Sequence, residues 1–290
     1  MSLKSTLRNI SHIIPDKLYL KLRYRKVFHK PLNLKKPRTF NEKLQWLKLY
    51  DRKPEYTDMV DKYEAKKLIA ERIGEEYVIP TLGVWDSFDQ IDFDSLPDQF
   101  VFKCTHDSGG LVICRDKATL DMEKARRRIT SSLNRNYFWA NREWPYKNIK
   151  PRIIAEKYMT DTPDTTEFTD YKFYCFNGKA DCVMCCLERS TGTPKFYFFN
   201  KNWELLKYNR RGIEAPADFT LAKPEAMDDM FRIAELLSKD IPHVRVDLYV
   251  SDNKIYFGEW TFFSESGFDK NLLYQTDLRW GSLLDLELVK

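Results

Sequence analysis

The pattern of apolar and polar positions divides the chain into a helical first quarter and strand-rich remainder. Residues 1–75 read as helices. In EKLQWLKLY the apolar positions are Leu44, Trp46, Leu47 and Leu49, and Asn41 stands where it would cap that helix. A further helix runs on from Asp58-Met59-Val60-Asp61-Lys62 and closes at Gly74. Strand-like runs follow: Tyr77-Val78-Ile79-Pro80, then Phe100-Val101-Phe102-Lys103, then Leu111-Val112-Ile113-Cys114. Residues 121–134 look helical. The loop NYFWANREWPYKN is rich in aromatics, which suits satellite core packing more often than a sugar-stacking platform. Arg152 to Met159 is an apolar strand ending in charge, and the polar residues 160–169 form a loop.

Strict alternation governs the second half. DYKFYCFNGKADCVMCC carries Asn177-Gly178 between two alternating runs, a strong signal for a two-residue hairpin, and puts Asp170, Lys172, Tyr174 and Phe176 on one face. Residues 224–238 form an amphipathic helix. VRVDLYV and IYFGEWTFF, joined by Ser251-Asp252-Asn253-Lys254, predict a last strand pair. Helices, sheet, helix, sheet is an α+β order rather than βαβ alternation.

With 43% hydrophobic residues in 290, the chain can bury a substantial core, and its length suits one large domain or two small ones. No apolar run reaches the roughly 20 residues of a membrane span. The opening MSLKSTLRNISHIIPDKL has no signal-peptide core, so a cytoplasmic setting is expected, with its six cysteines as free thiols. Cys182 and Cys185 spell C-x-x-C, but no second ligand pair at matching spacing supports a zinc site. The net charge of +5 is uneven: residues 1–53 hold 15 Lys/Arg and 3 Asp/Glu, and the rest is net acidic. Such a basic arm suits an anionic partner or membrane surface, or is a solvated helical face. No recognition motif accompanies the charge, which argues against nucleic acid.

Two places suggest chemistry. Lys103 is followed at once by the loop Thr105-His106-Asp107-Ser108-Gly109-Gly110. Adjacent glycines let backbone N–H groups approach an anion, although an ordinary glycine hairpin reads the same way. In the last strand pair, Arg245, Asp247 and Tyr249 share one face, as do Phe257, Glu259 and Thr261. An odd loop or a bulge at Gly258 would set Asp247 opposite Glu259. Opposed carboxylates repel, so either Arg245 neutralises them or a hard cation such as magnesium sits between them. With Lys172 on a neighbouring strand, these are the parts of a nucleotide triphosphate site: lysines for phosphates, carboxylates for magnesium. G-x-x-x-x-G-K-[ST], H-R-D and D-F-G are all missing, which excludes a P-loop enzyme and a protein kinase.

PRTFNEKLQWLKLYDR, VDKYEAKK, LPDQFVFKCTHDSGG, DYKFYCFNGK and RVDLYVSDNKIYFGEWTFFSESGF together resemble the TupA-like family of the ATP-grasp superfamily, found with bacterial polysaccharide biosynthesis. The resemblance implies an ATP-grasp fold with two antiparallel-sheet subdomains clasping ATP: residues 76–160 with the glycine loop and 161–290 with the magnesium site, after a basic helical region 1–75. It implies Lys103, Ser108, Gly109 and Gly110 around the phosphates, Glu156, Lys157, Tyr158 and Met159 as the hinge at adenine, Asp170 at the ribose, and Lys172 at phosphate. Asp247 would ligate magnesium, and Glu259 would bridge two magnesium ions. Thr261 stands where the family has a metal-binding asparagine, which weakens the second site. Lys103, Lys172 and Arg245 would be the catalytic cations. Arg245, Ser264, Ser266 and His106 would meet substrate.

The implied chemistry is ATP-dependent carboxylate–amine ligation through an acyl phosphate. An amino acid or amine and a uronic-acid-type sugar are the implied substrates, with an anionic or lipid-linked glycan reached through the basic arm at the inner face of the membrane. Competing expectations are a glycosyltransferase using a nucleotide sugar and a non-catalytic glycan-binding protein.

Overall fold

The structure, a computed structural model, describes residues 12–160, 169–188 and 192–289. Most of the loop expected at 160–169 and the first eleven residues of the basic arm lie outside those residues.

Four helices open the described chain: α1 (Asp16–Phe28), α2 (Phe40–Tyr50), α3 (Glu55–Val60) and α4 (Glu64–Arg72). The cap of α2 is Thr39, not Asn41. The Thr39 side chain accepts from Glu42 N while the Glu42 carboxylate reaches back to Thr39 N, a reciprocal capping box. Asn41 lies inside the helix, buried. The helix expected from Asp58 breaks at Asp61, whose carboxylate accepts from Tyr63 N at 2.8 Å and restarts the chain as α4. Tyr77 to Pro80 is not a strand: Glu75–Tyr77 is a 3₁₀ turn, and extended pairing begins at Thr81.

The small sheet holds β1 (Thr81–Trp85), β2 (Phe100–Cys104), β3 (Leu111–Cys114) and β4 (Ile153–Lys157) in the order β1-β4-β2-β3. One face packs on α5 (Met122–Leu133) through Phe100, Phe102, Ala125 and Ile129. The aromatic-rich segment between α5 and β4 contains the short α6 (Phe138–Asn141). The large sheet follows the order β10-β9-β5-β6-β7-β8, with β5 (Asp170–Phe176), β6 (Lys179–Leu187), β7 (Lys195–Phe199), β8 (Leu205–Leu206), β9 (His243–Ser251) and β10 (Lys254–Thr261). Every strand pair in both sheets is antiparallel. Short α7 (Arg210–Glu214), then α8 (Met227–Leu237) and α9 (Tyr274–Leu283), complete the α-helices among the described residues.

The two tight hairpins follow their turn residues. Asn177-Gly178 has φ of 51° and 75°, and Asp252-Asn253 has 49° and 60°. Positive φ at both central residues is the turn whose twist matches the strands. The second loop is therefore even, and the alignment of Asp247 with Glu259 comes from a bulge between Phe257 and Glu259. Gly258 is required there by crowding, since a Cβ would lie 2.6 Å from the Tyr249 ring.

The largest core joins the large sheet to α2, α3, α4, α8 and α9. Trp280 is its hub. Its ring stacks on Tyr174 at 4.5 Å and meets Phe40 edge-on at 5.3 Å, and its Nε1 donates to Asp181 Oδ2 at 2.9 Å. Full burial of such a side chain contributes roughly 1.5–3 kcal/mol or more. The amino-terminal helices thus share their core with the carboxy-terminal sheet. All six cysteines are buried, free thiols; Cys182 and Cys185, three apart on β6, face opposite sides of the sheet.

Close approach of α9 to the start of α2 leaves no room at Gly281, where a Cβ would stand 2.0 Å from Arg38 O. Gly281→Ala should therefore lower stability by about 1–3 kcal/mol, despite alanine's better helix propensity. Urea unfolding checks this, and an unchanged midpoint would contradict the packing.

Candidate active site

The two sheets and the α3–α4 segment enclose a cleft of about 210 Å³. On the small sheet, β2 turns Phe100, Phe102 and Cys104 to its core and leaves Lys103 on the cleft side. Val101 lies opposite Glu156 and Lys103 opposite Ile154, so Lys103 and Glu156 are diagonal neighbours on that face. The Glu156 carboxylate is buried and grips two ammonium groups at 2.6 Å each, Lys103 through Oε2 and Lys66 of α4 through Oε1. Burial pushes this carboxyl up, but the two lysines outweigh it and hold it down at about 2. Burial pulls both lysines down; Glu156 reverses the shift for Lys103, whereas Lys66 stays low.

Across the cleft, the large sheet sets Glu259, Asp247 and Lys172 side by side on three adjacent strands. Asp247 has no exposed surface. Arg245 donates through Nε to Oδ1 at 2.6 Å and through its second nitrogen to Oδ2 at 2.7 Å. Lys172 Nζ adds a bond to Oδ2 at 2.5 Å and reaches Asp170 Oδ2 at 2.8 Å. Burial alone would raise the Asp247 carboxyl; Arg245 and Lys172 reverse that and hold it low. Arg245 also reaches Glu259 at 3.3 Å and the Thr261 hydroxyl at 3.0 Å, and that hydroxyl donates to Glu259 at 3.1 Å. Both readings of the opposed carboxylates meet here: Arg245 neutralises them, and Glu259 keeps exposed surface toward the cleft.

Among the described residues, no group of three or more His, Cys, Asp or Glu could hold a metal ion alone. The residues nevertheless fit magnesium, which takes one or two carboxylates and completes its shell with phosphate and water. Glu259, with 39% of its side chain exposed, is open to such an ion; Asp247 would have to release one of its two cations.

The glycine loop differs from expectation. The N–H groups of Gly109 and Gly110 donate to Asp107 Oδ1, at 3.2 and 3.0 Å, so both are occupied within the loop. Ser132 Oγ donates to the other Asp107 oxygen, and Lys62 Nζ donates to the Asp107 carbonyl. A Cβ on Gly110 would lie 2.5 Å from Cys104 Sγ and 2.7 Å from Ser132 Oγ, whereas one on Gly109 would meet only the end of Arg135 within 3.4 Å. Gly110 serves packing between β2 and α5. Ser108 lines the cleft, and its hydroxyl donates to Tyr137 at 3.0 Å.

Lys103, Ser108, Gly109, Gly110, Glu156, Asp170, Lys172 and Glu259 all line this cleft, whereas Lys157, Tyr158 and Met159 do not. His106, expected at substrate, is buried behind the loop. Its Nε2 faces two carbonyls, Ser132 O and Arg135 O, each at 3.1 Å, so this nitrogen carries the proton and holds the end of α5. Ser264 is buried, and the Ser266 hydroxyl donates to buried Glu143 at 2.5 Å.

Two groups of residues had no assigned role. Lys62 and Lys66 line the cleft beside Val60, Ala65 and Ile69, and their four-residue spacing was the available signal. On α2, buried Asn41, Gln45 and Lys48 fall on one face and hold the segment after β10: Asn41 bonds both backbone groups of Asp269, Gln45 donates to Gly267 O at 2.6 Å, and Lys48 to Ser266 O at 2.6 Å. They steady a backbone that is left-handed at Glu265 and Ser266. Burial pulls the Lys48 ammonium down to about 7.

Residues 42–285 match the profile of a family described as TupA-like ATPgrasp. The chain belongs to the TupA-like ATP-grasp family. Its two antiparallel sheets about a shared cleft are the ATP-grasp arrangement implied by the sequence. None of the curated proteins matches this TupA-like chain. Among solved structures it is similar to ATP-grasp ligase PsnB complexed with a phosphomimetic variant of minimal precursor, Mg and ADP, at 13% identity and TM-score 0.44, over 85% of this chain and 65% of that one. D-alanine–D-alanine ligase from Bacillus anthracis complexed with ATP matches at 18% identity and TM-score 0.43, over 80% of this chain and 63% of that one. The Helicobacter pylori D-alanine–D-alanine ligase matches at 15% identity and TM-score 0.43, over 85% and 69%. The TupA-like chain thus spans just under two thirds of PsnB and of the B. anthracis enzyme.

Two outcomes are expected. Gly110→Ala should cost about 1–3 kcal/mol of stability while Gly109→Ala is better tolerated, and equal melting temperatures for the pair would contradict the loop geometry. Glu156→Gln leaves two half-buried lysines without their shared carboxylate and should cost about 3 kcal/mol at neutral pH. Because the folded carboxyl sits at about 2, below its ordinary 4.5, its contribution is complete above pH 4.5 and fades as pH falls toward 2. The stability gap between wild type and variant, measured in urea, should narrow over that interval; a gap constant with pH would reject the pairing.

Proposed function

We propose that the protein is an ATP-dependent carboxylate–amine ligase of bacterial cell-surface polysaccharide biosynthesis, working in the cytoplasm. Its substrates in this reading are an amino acid or amine and a uronic-acid-type sugar, free or carried on a lipid-linked glycan. The observation that carries the reading is a single cleft lined by Lys103 and the Ser108 loop from one sheet and by Lys172 and Glu259 from the other, with Asp247 buried directly between those last two. Residues 76–160 and 161–290 are then the two clasping subdomains, and the helical residues 1–75 add a wall to the cleft through Val60, Lys62, Lys66 and Ile69.

Such a ligase needs no covalent nucleophile. A substrate carboxylate oxygen bonds to the γ-phosphorus of ATP as the bond to ADP breaks, giving an acyl phosphate. The amine nitrogen then bonds to the acyl carbon as phosphate leaves, and its proton passes to solvent. Lys103 and Lys172 hold the transferred phosphoryl group in place and offset its charge. Arg245 fixes Asp247 and Glu259 in register. Asp170 lies beside Lys172, where the ribose hydroxyls are expected. Magnesium, held by Glu259 and Asp247 with the Thr261 hydroxyl as a weak further donor, would neutralise phosphate charge. The apolar wall of Val60, Ile69, Val78 and Ile79 suits the adenine.

ATP carrying ¹⁸O in its β–γ bridge tests the reaction. With magnesium and a uronic acid but no amine, the label should scramble into the β-phosphate nonbridging positions. Lys103→Ala and Lys172→Ala should each weaken ATP binding by about 1.5–3 kcal/mol in calorimetry. Thermal stabilisation by nucleotide sugars and none by ATP with magnesium would replace this reading with a glycosyltransferase.

A further inference from the structure

We infer that the outer face of α1 docks the protein on an anionic lipid bilayer. This goes beyond the ligase reading and does not depend on it. The helix is fixed from inside: Leu20 and Tyr24 are buried in a small core with Leu32 and Leu34, and Arg23 lies over the Phe268 ring at 5.8 Å. Its only acidic residue, Asp16, faces inward, with Arg52 at 2.9 Å and buried Arg142 at 3.0 Å. The exposed residues then fall in two ridges at four-residue spacing. One is Lys17, Lys21, Arg25; the other is Leu18, Leu22, Lys26. Neither ridge carries a negative charge.

Single exposed leucines are ordinary on soluble proteins. Here Leu18 and Leu22, 50% and 55% exposed, stand one turn apart. Two leucines set beside a cationic ridge match the interfacial layer of a membrane, where apolar side chains enter the headgroup boundary and lysines meet lipid phosphates. A soluble polyanion would use the cations and leave the leucines in water. No helix among the described residues is long and apolar enough to cross a membrane, so the contact is peripheral.

The test is co-sedimentation of the full chain with vesicles of phosphatidylglycerol and phosphatidylcholine, against vesicles of phosphatidylcholine alone. Wild type should sediment with the anionic vesicles at low salt and be released toward 1 M salt, where the Debye length has fallen to about 3 Å. The triple variant Lys17→Glu, Lys21→Glu, Arg25→Glu should lose roughly hundredfold in partitioning, at about fivefold per removed cation before repulsion is added. Leu18→Asn with Leu22→Asn should also weaken sedimentation, which separates bilayer docking from simple charge attraction. Melting temperature and ATP binding are measured on the same samples. Wild type remaining in the supernatant at low salt, or charge-reversed protein with wild-type melting that still sediments, overturns the docking. Leucine variants that bind like wild type also overturn it, in favour of an anionic polymer or headgroup held by charge alone. Loss of ATP binding in wild type would instead count against the ligase reading and leave this result standing.

Discussion

A carboxylate with no exposed surface is held in the large sheet, and the candidate site is arranged around keeping it charged. Asp247 remains ionised only because Arg245 fills both of its oxygens and Lys172 adds a third donor. Removing either cation would strand a buried charge, while removing the carboxylate would leave two. The requirement propagates outward. Lys172 must lie directly opposite Asp247 on the neighbouring strand, Arg245 must be two residues earlier on the same face, and Glu259 must complete the row from the edge strand. The register of three strands is therefore an electrostatic requirement as much as a packing one.

The small sheet solves the same problem in mirror image. Two lysines share one carboxylate, Glu156, and one of those lysines comes from the amino-terminal helical region. Together with Trp280, which packs on Phe40 and on the large sheet, this gives the first quarter of the chain contacts to both halves of the cleft. Helix α2 adds a third attachment through the polar residues that hold the segment after β10. The helical region is thus a wall of the site rather than an appendage to it.

What could be read beforehand follows the range of the interactions. Turn chemistry and period-two alternation are local, so the two hairpins and the shared face of Arg245, Asp247 and Tyr249 were visible in the sequence. The cap of α2 is local too, but Thr39 prevailed over Asn41 because Glu42 completes a reciprocal pair with it. The amides of Gly109 and Gly110 could not be assigned from a glycine pattern, since Asp107 competes for them at closer range than any ligand. Least legible were the partners of Glu156 and of Lys48. Glu156 pairs with Lys103 and Lys66 from two distant segments, and Lys48 reaches carbonyls at Asn141 and Ser266; nothing in local spacing marks which lysine will meet which acid or carbonyl.

The bulge at Gly258 has a consequence for how this hairpin can vary. It is the one offset between the Asp252-Asn253 turn and Glu259, and it sets which side of the sheet the following residues occupy. Shortening the strand by a single residue there would exchange the two faces: Glu259 and Thr261 would turn into the core now occupied by Trp260, and Trp260 would turn into the cleft. Length is therefore under tighter constraint than identity. A substitution along β10 alters one position, but an insertion or deletion between the turn and Glu259 alters every position beyond it at once, so lineages of this hairpin are expected to diverge by substitution within a fixed residue count.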